Sequence, residues 1–230
     1  MYLDQLTPAA QDYIKLIYEL TEGEGRTTTN ELAAEMGVRP ASVTGMLQKL
    51  AQAEPAVIDY EKWRGVGLTA TGRLLALELI RHHRLLETFL HDHLGYEWDE
   101  VHEEAHRLEH VISEALEDRM AEMMGHPERD PHGALIPDAN LEWPTEAART
   151  PLSACAAGTA ATIAEVADED AGRLQALAAI GLLPHTPITV VSTGDSGWQL
   201  QIGADTAAQA VPATLIQHII VYTDTSGDRS

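Results

Sequence analysis

The chain has 230 residues, a formal net charge of -21, 44% hydrophobic residues and one cysteine, Cys155. That length suggests one large domain or two smaller ones with real cores, and a lone cysteine excludes a disulfide within the chain. No apolar run reaches the ~18 residues of a membrane span, and the N-terminus lacks a basic region followed by an apolar core, so we expect no membrane partner, no signal peptide and a cytoplasmic setting. So acidic a chain should repel nucleic acid. The basic residues are nevertheless concentrated early, at Arg26, Arg39, Lys49, Lys62, Arg64 and Arg73, and after Arg129 only Arg149, Arg173 and Arg229 follow.

In chain order, Thr7-Pro8 opens a first helix whose apolar face is Tyr13, Ile14, Leu16, Ile17 and Leu20. Asp12 sits beside that face. Thr29 or Asn30 is expected to cap a short helix over 31–36, Gly37 closes it, and Pro40 starts another. Helix, tight turn and helix form a helix-turn-helix, whose second helix enters the major groove. Its early residues, Arg39, Ala41, Ser42, Thr44 and Gly45, are mostly small or polar, as a groove-facing surface requires, and Lys49 lies further along. The next stretch, AVIDYEKWRGVGLTATG, reads as strand, turn and strand. This is a wing, with Lys62 and Arg64 at its tip placed against phosphate.

Two long helices are expected next, over 70–94 and from 98 or 99 to about 124, with Gly95 between them. On the first, His83 and Glu87 are one turn apart and share a face. On the second, His102, His106, Glu109 and His110 fall in a stripe roughly 100° wide. Imidazole and carboxylate are ligands for divalent transition metals, whereas isolated His/Glu pairs on helices are usually solvated. His82, His91 and His93 lack such spacing and are read as surface residues. Ala115, Leu116, Met120, Met123 and Met124 offer a surface for a second copy of the chain, as a two-fold DNA reader needs.

Five prolines between 127 and 151 forbid a long helix there. Beyond them, TIAEV, PITVVS, GWQLQIG and HIIVY read as strands of a small barrel, with a short helix over 171–180 and a turn at 194–197. Asp168, Glu169 and Asp170 precede that helix and suit its N-terminal dipole, although one of them could reach a metal.

TPAAQDYIKLIYEL, RPASVTGMLQKL, YEKWRGVGLT, HHRLLETFL, VHEEAHRLEH and DPHGALIP, in this order, resemble segments of the diphtheria toxin repressor family of metal-dependent transcriptional regulators, its manganese-responsive branch above all. The tail, including IGLLPHTPITVV, resembles that family's SH3-like domain. The resemblance implies a mainly α fold with a C-terminal all-β part. It divides the chain into a winged helix-turn-helix DNA-binding domain (1–73), a helical metal-binding and dimerisation domain (74–140), a linker (141–155) and an SH3-like small barrel (156–223). It implies two metal sites per chain: a primary one of Asp12, His106, Glu109 and His110, and an ancillary one of His83, Glu87, His102 and Asp170. His106 departs from the cysteine or glutamate of the family, Arg173 stands where another ligand can occur, and Lys15 replaces the glutamate that some manganese regulators carry.

The primary set contains no sulfur, and an oxygen/nitrogen site accommodates Mn²⁺ better than a thiolate site does. We therefore expect a repressor that binds palindromic operator DNA as a homodimer with Mn²⁺ as co-repressor, Fe²⁺ being the second choice. DNA contacts would come from Arg39, Ser42, Thr44, Lys49, Lys62 and Arg64. The competing classes are a His/Glu metalloenzyme, which lacks an evident base or nucleophile, and a winged-helix regulator of a small organic ligand.

Overall fold

The computed structural model describes residues 3–195, 197–204 and 207–223; Ser196 of the expected turn and Arg229 lie outside them. Two compact units form. Of the described residues, the first comprises those up to 83 with 106–122 and 137–142, and the second comprises 84–105, 123–136 and those from 143 to 223.

The first unit starts with α1 (Pro8–Thr21), α2 (Thr29–Glu35) and α3 (Pro40–Leu50). Thr7 and Pro8 stand where expected, but the Thr7 side chain makes no cap bond. The cap of α2 is Thr28, not Thr29 or Asn30. Its hydroxyl accepts from Glu31 N at 3.2 Å, and the Glu31 carboxylate accepts from Thr28 N at 2.8 Å. This reciprocal box satisfies two orphan donors and starts the helix a residue or two early. Ile14, Ile17, Leu32, Val43, Leu47 and Val66 are buried in one core, each contributing roughly 1.5–3 kcal/mol of apolar burial.

The strands β1 (Ile58–Glu61) and β2 (Gly65–Leu68) form the antiparallel hairpin. It is anchored toward its turn. Thr27 bridges to Val66, and the Arg26 guanidinium donates to the carbonyls of Asp59, Arg64 and Gly65 and to the Asp59 carboxylate at 2.6–3.1 Å. Arg26 is thus committed to shaping the hairpin. Gly65 is required there, because at φ 83° an added Cβ would lie 2.3 Å from the Thr27 carbonyl oxygen.

The helix α4 (Ala70–Leu94) follows as expected, and Thr69 Oγ1 accepts from Gly72 N at 3.1 Å to cap it. The second long helix is a correction. It is two helices, α5 (Val101–Leu108) and α6 (Glu114–Met123), separated by residues 109–113. No glycine or proline marks the break. The Ser113 carbonyl accepts from Leu116 N and Glu117 N, and Glu114 and Glu117 fill the first turn of α6, where the dipole favours acids.

In the second unit six antiparallel strands are ordered β3-β8-β4-β5-β6-β7. They are β3 (Thr150–Pro151), β4 (Ala160–Val166), β5 (Pro187–Ser192), β6 (Gly197–Ile202), β7 (Gln209–Pro212) and β8 (Ile219–Thr223). With α7 (Ala171–Ala179) and α8 (Ala213–Ile216) they enclose a core of Ile163, Leu174, Val190, Leu200 and Val221. This is the SH3-like part. It begins earlier than 156, since Thr150 and Pro151 pair with β8 and Leu152 is buried. The Pro-rich crossing is ordered in part: Arg129 bridges to Leu135, and Val166 N donates to the His132 carbonyl at 3.0 Å. Gly133 permits that approach, since a Cβ on it would lie 2.0 Å from the Ala164 carbonyl oxygen.

Candidate metal centres

Asp12, on α1, and His106, Glu109 and His110, at and just beyond the end of α5, each place one ligand atom within 4.8 Å of the others. The stripe expected on one helix therefore ends on a helix and its following turn, which swings Glu109 inward. Glu109 is buried and central. Its Oε1 lies 2.9 Å from His106 Nδ1 and 3.6 Å from His110 Nε2. Its Oε2 lies 2.5 Å from His83 Nδ1 and 2.9 Å from Lys15 Nζ. Burial alone would raise its pKa, but the bonds from His106 and His83 and the Lys15 charge hold it well below the usual carboxylate range.

The tautomer of His110 is set from behind. Its Nδ1–H donates to Gln11 Oε1 at 2.7 Å, and the buried Gln11 is held in turn by the Leu3 carbonyl at 2.7 Å. Its Nε2 then faces Asp12 Oδ1 at 3.0 Å, and that buried oxygen has no hydrogen-bond partner among the described residues. A carboxylate oxygen without a hydrogen-bond partner facing an imidazole nitrogen, with the second ring nitrogen fixed from behind, is an arrangement that suits a cation. The residues fit a divalent ion with oxygen and nitrogen ligands.

The second unit holds another cluster, of Glu87, Asp130, His132 and Asp168, again with ligand atoms within 4.8 Å. His132 Nε2–H donates to the Trp98 carbonyl at 2.9 Å, leaving Nδ1 3.8 Å from Glu87 Oε2 and 3.7 Å from Asp168 Oδ2. That Nδ1 is buried and has no hydrogen-bond partner among the described residues. Asp130 Oδ1 accepts from the backbone of His132 and Ala134 at 2.8 and 3.0 Å, which holds the turn. His102 Nδ1 lies 3.2 Å from Glu87 Oε1 and 3.5 Å from Asp168 Oδ2. Burial opposes charge on both imidazoles. For His102 the bonds and charges of Asp168 and Glu87 overcome it and push the pKa up to about 10. For His132, Glu87 and Asp168 push it up to about 9. Burial, with Glu87 close by, pushes Asp130 up to about 7. Crowded acids that keep imidazoles protonated are a second fit to a cation.

Sequence reasoning placed Asp170 here. The structure puts Asp168 beside His102 and Glu87, while Asp170 is the N-cap of α7, accepting from Arg173 N at 2.9 Å. The two-residue offset follows from β4 ending at Val166. Arg173 points elsewhere, to Glu169 and His218. His83 precedes Glu87 by one turn of the continuous α4 but belongs to the first unit, bonded to Glu109. Asp130 and His132 were missed, although the DPHG segment in a Pro-rich crossing was their signal. His82 is not a surface residue. It is 2% exposed, with Nε2 2.9 Å from Glu117, in a third group with Glu78 and Glu114. His93 is exposed, and the half-buried His91 bonds Asp92.

The residues expected to contact DNA belong to the first unit. Arg39, Ser42 and Lys49 are exposed on α3, as are Lys62 and Arg64 on the hairpin tip. The half-buried Thr44 turns its hydroxyl back to the Pro40 carbonyl at 3.0 Å.

Comparison with known proteins adds the family. Residues 5–66 match the iron dependent repressor N-terminal DNA binding domain, 69–138 the iron dependent repressor metal binding and dimerisation domain, and 150–223 the FeoA domain. The HTH-type transcriptional regulator MntR of Bacillus subtilis (strain 168) is 36% identical over 54% of this chain and 85% of its own length. That of Oceanobacillus iheyensis is 35% identical over 52% of this chain and 80% of its own. Among solved structures, a manganese-dependent transcriptional repressor in complex with manganese is 36% identical, with a TM-score of 0.85 over 94% of this chain and all of the other. ScaR with bound Cd²⁺ is 32% identical, with a TM-score of 0.78 over 94% and 99%. None of the helices is long and apolar enough to cross a membrane among the described residues. The chain belongs to the diphtheria toxin repressor family of metal-dependent DNA-binding transcriptional regulators, in its manganese-responsive branch.

Proposed function

We propose that this protein is a Mn²⁺-dependent repressor that binds a palindromic operator as a homodimer. The observation that carries it is the convergence of Asp12, His106, Glu109 and His110 in the unit that also carries the winged helix-turn-helix. Asp12 lies on α1, ahead of α2 and α3, whereas its three partners follow the hairpin by some forty residues. Holding these donors together fixes the reading helix relative to the later helices. A bound ion would supply the positive charge that lets the acid and imidazole groups share one point. A conformation favoured by the ion gains DNA affinity by that preference alone.

In this reading Arg39, Ser42 and Thr44 meet the major groove, and Lys49, Lys62 and Arg64 meet phosphate. The second site comprises Glu87, Asp130, His132 and Asp168, with His102 alongside. The all-oxygen-and-nitrogen donor sets favour Mn²⁺ over ions that seek thiolate. Fe²⁺ is the alternative, and cellular availability decides between them. The test is duplex binding at one fixed salt concentration, with chelator, with Mn²⁺ and with anaerobic Fe²⁺. Binding that requires Mn²⁺ supports the reading, and equal binding in chelator sinks it.

A further inference from the structure

We propose that Trp63, at the tip of the hairpin, is a DNA contact in its own right, its indole laid into the minor groove against sugar and base edge beside the operator half-site. This rests on the DNA-binding reading above. Trp63 is 92% exposed, far more than any packed aromatic. The Glu61 carbonyl accepts from Arg64 N at 3.0 Å, so Glu61 to Arg64 form a β-turn with Trp63 at its third position. Trp63 has φ 80° there. That position of such a turn prefers glycine or asparagine, and a bulky residue is strained in it.

A bulky apolar side chain at a strained position, with no apolar packing in return among the described residues, breaks local turn chemistry. Such breaks mark sites whose gain lies elsewhere. Charge says where. Lys62 and Arg64 flank Trp63 in sequence; the Lys62 ammonium lies 5.2 Å from the ring centroid, while the exposed Arg64 pairs with Glu61 at 3.1 Å. A cation beside an exposed ring suits a polyanion with apolar sugar and base surface, in a chain whose overall charge is -21. The tip is also rigidly presented, since Arg26 bonds the Arg64 and Gly65 carbonyls beside the turn and Thr27 bridges to Val66. Aromatic or aliphatic wedges in the minor groove recur in DNA-binding proteins.

The test uses the full chain with Mn²⁺ and a duplex that the protein itself selects from a random pool. Trp63→Gly relieves the turn, so the unfolding temperature should hold or rise while DNA affinity falls roughly fivefold or more. The slope of log affinity against log salt should not change, because indole releases no counterion. Lys62→Ala should reduce that slope by about 1. Trp63→Tyr keeps a ring and should stay within about threefold of wild type. Unchanged affinity in Trp63→Gly would overturn the proposal, and so would parallel loss of stability and binding, which marks a structural role. If the wild-type chain selects no duplex with Mn²⁺, the DNA-binding reading itself fails, and this inference with it.

Discussion

The two donor clusters use the same chemistry and differ in what they join. In the first, Asp12 and His110 are half-buried and His106 is exposed around a buried Glu109; in the second, Glu87, Asp130 and His132 are all buried and only Asp168 is half-exposed. The first links α1 to the turn after α5. The second links α4 to the crossing turn and to the loop between β4 and α7, with His102 of α5 alongside. An open cluster across elements distant in sequence suits exchange with solution and readout to DNA. A closed one, whose turn is stitched to β4 by Gly133 and His132, suits holding an ion as part of the fold.

The largest expected effect tests that contrast directly. Glu109→Ala should abolish Mn²⁺-stimulated DNA binding, a loss of about 5- to 150-fold, while the far-UV spectrum and the second site's Mn²⁺ remain. A variant whose binding still responds normally to Mn²⁺ would assign the readout to the other cluster. Next comes the identity of the second cluster. Asp168→Ala should weaken its Mn²⁺ affinity by about 10- to 100-fold, measured by calorimetry. Asp170→Ala should leave affinity alone and cost about 1 kcal/mol of stability through the lost cap. The reverse ranking would restore Asp170 as the ligand.

The pH dependence separates the clusters further. His102 and His132 are held protonated by Glu87 and Asp168, with pKa pushed up to about 10 and about 9. Mn²⁺ must displace those protons, so second-site affinity should climb as pH rises from about 6.5 through 9. The sign for stability is opposite. In chelator, the stabilisation from these raised pKa values is fully present below about 6.5 and is lost as pH rises through 9 to 10. Melting curves of wild type and His132→Gln in chelator across that range should converge toward the alkaline end. Smaller still is Lys15→Met. The ammonium on Glu109 Oε2 competes with an ion for that carboxylate, and its removal should tighten first-site Mn²⁺ binding by about fivefold, the scale of a ~1 kcal/mol ion pair. Weaker binding would mean that Lys15 positions Glu109 instead.

Much of the local structure was legible because short-range rules govern it. Pro8 and Pro40 set helix starts, the apolar periods gave α1, α3 and α4, and β-branched runs gave β4, β5, β6 and β8. The failures have equally physical causes. The cap of α2 moved to Thr28 because a reciprocal box with Glu31 outcompetes a lone hydroxyl. The break between α5 and α6 carries no glycine or proline, only Ser113 followed by acids, a start signal hidden inside an apolar period. β7 and β3 are too short to announce themselves, and each ends in a proline.

By itself the sequence determined which residue types could hold a cation, and that a DNA-reading hairpin and helix precede them. Spacing put His106 and His110 on one expected face, although His110 lies in the turn after α5. Tertiary structure alone decided which donors meet. It drew Glu87 to Asp168 and not Asp170, brought His132 and Asp130 in from a proline-rich crossing, buried His82 and spent Arg26 on the hairpin. The reason is that periodicity fixes the face on which a side chain lies. Convergence of donors from distant segments depends on where each chain reversal ends, and a shift of two residues there exchanges a ligand for a helix cap.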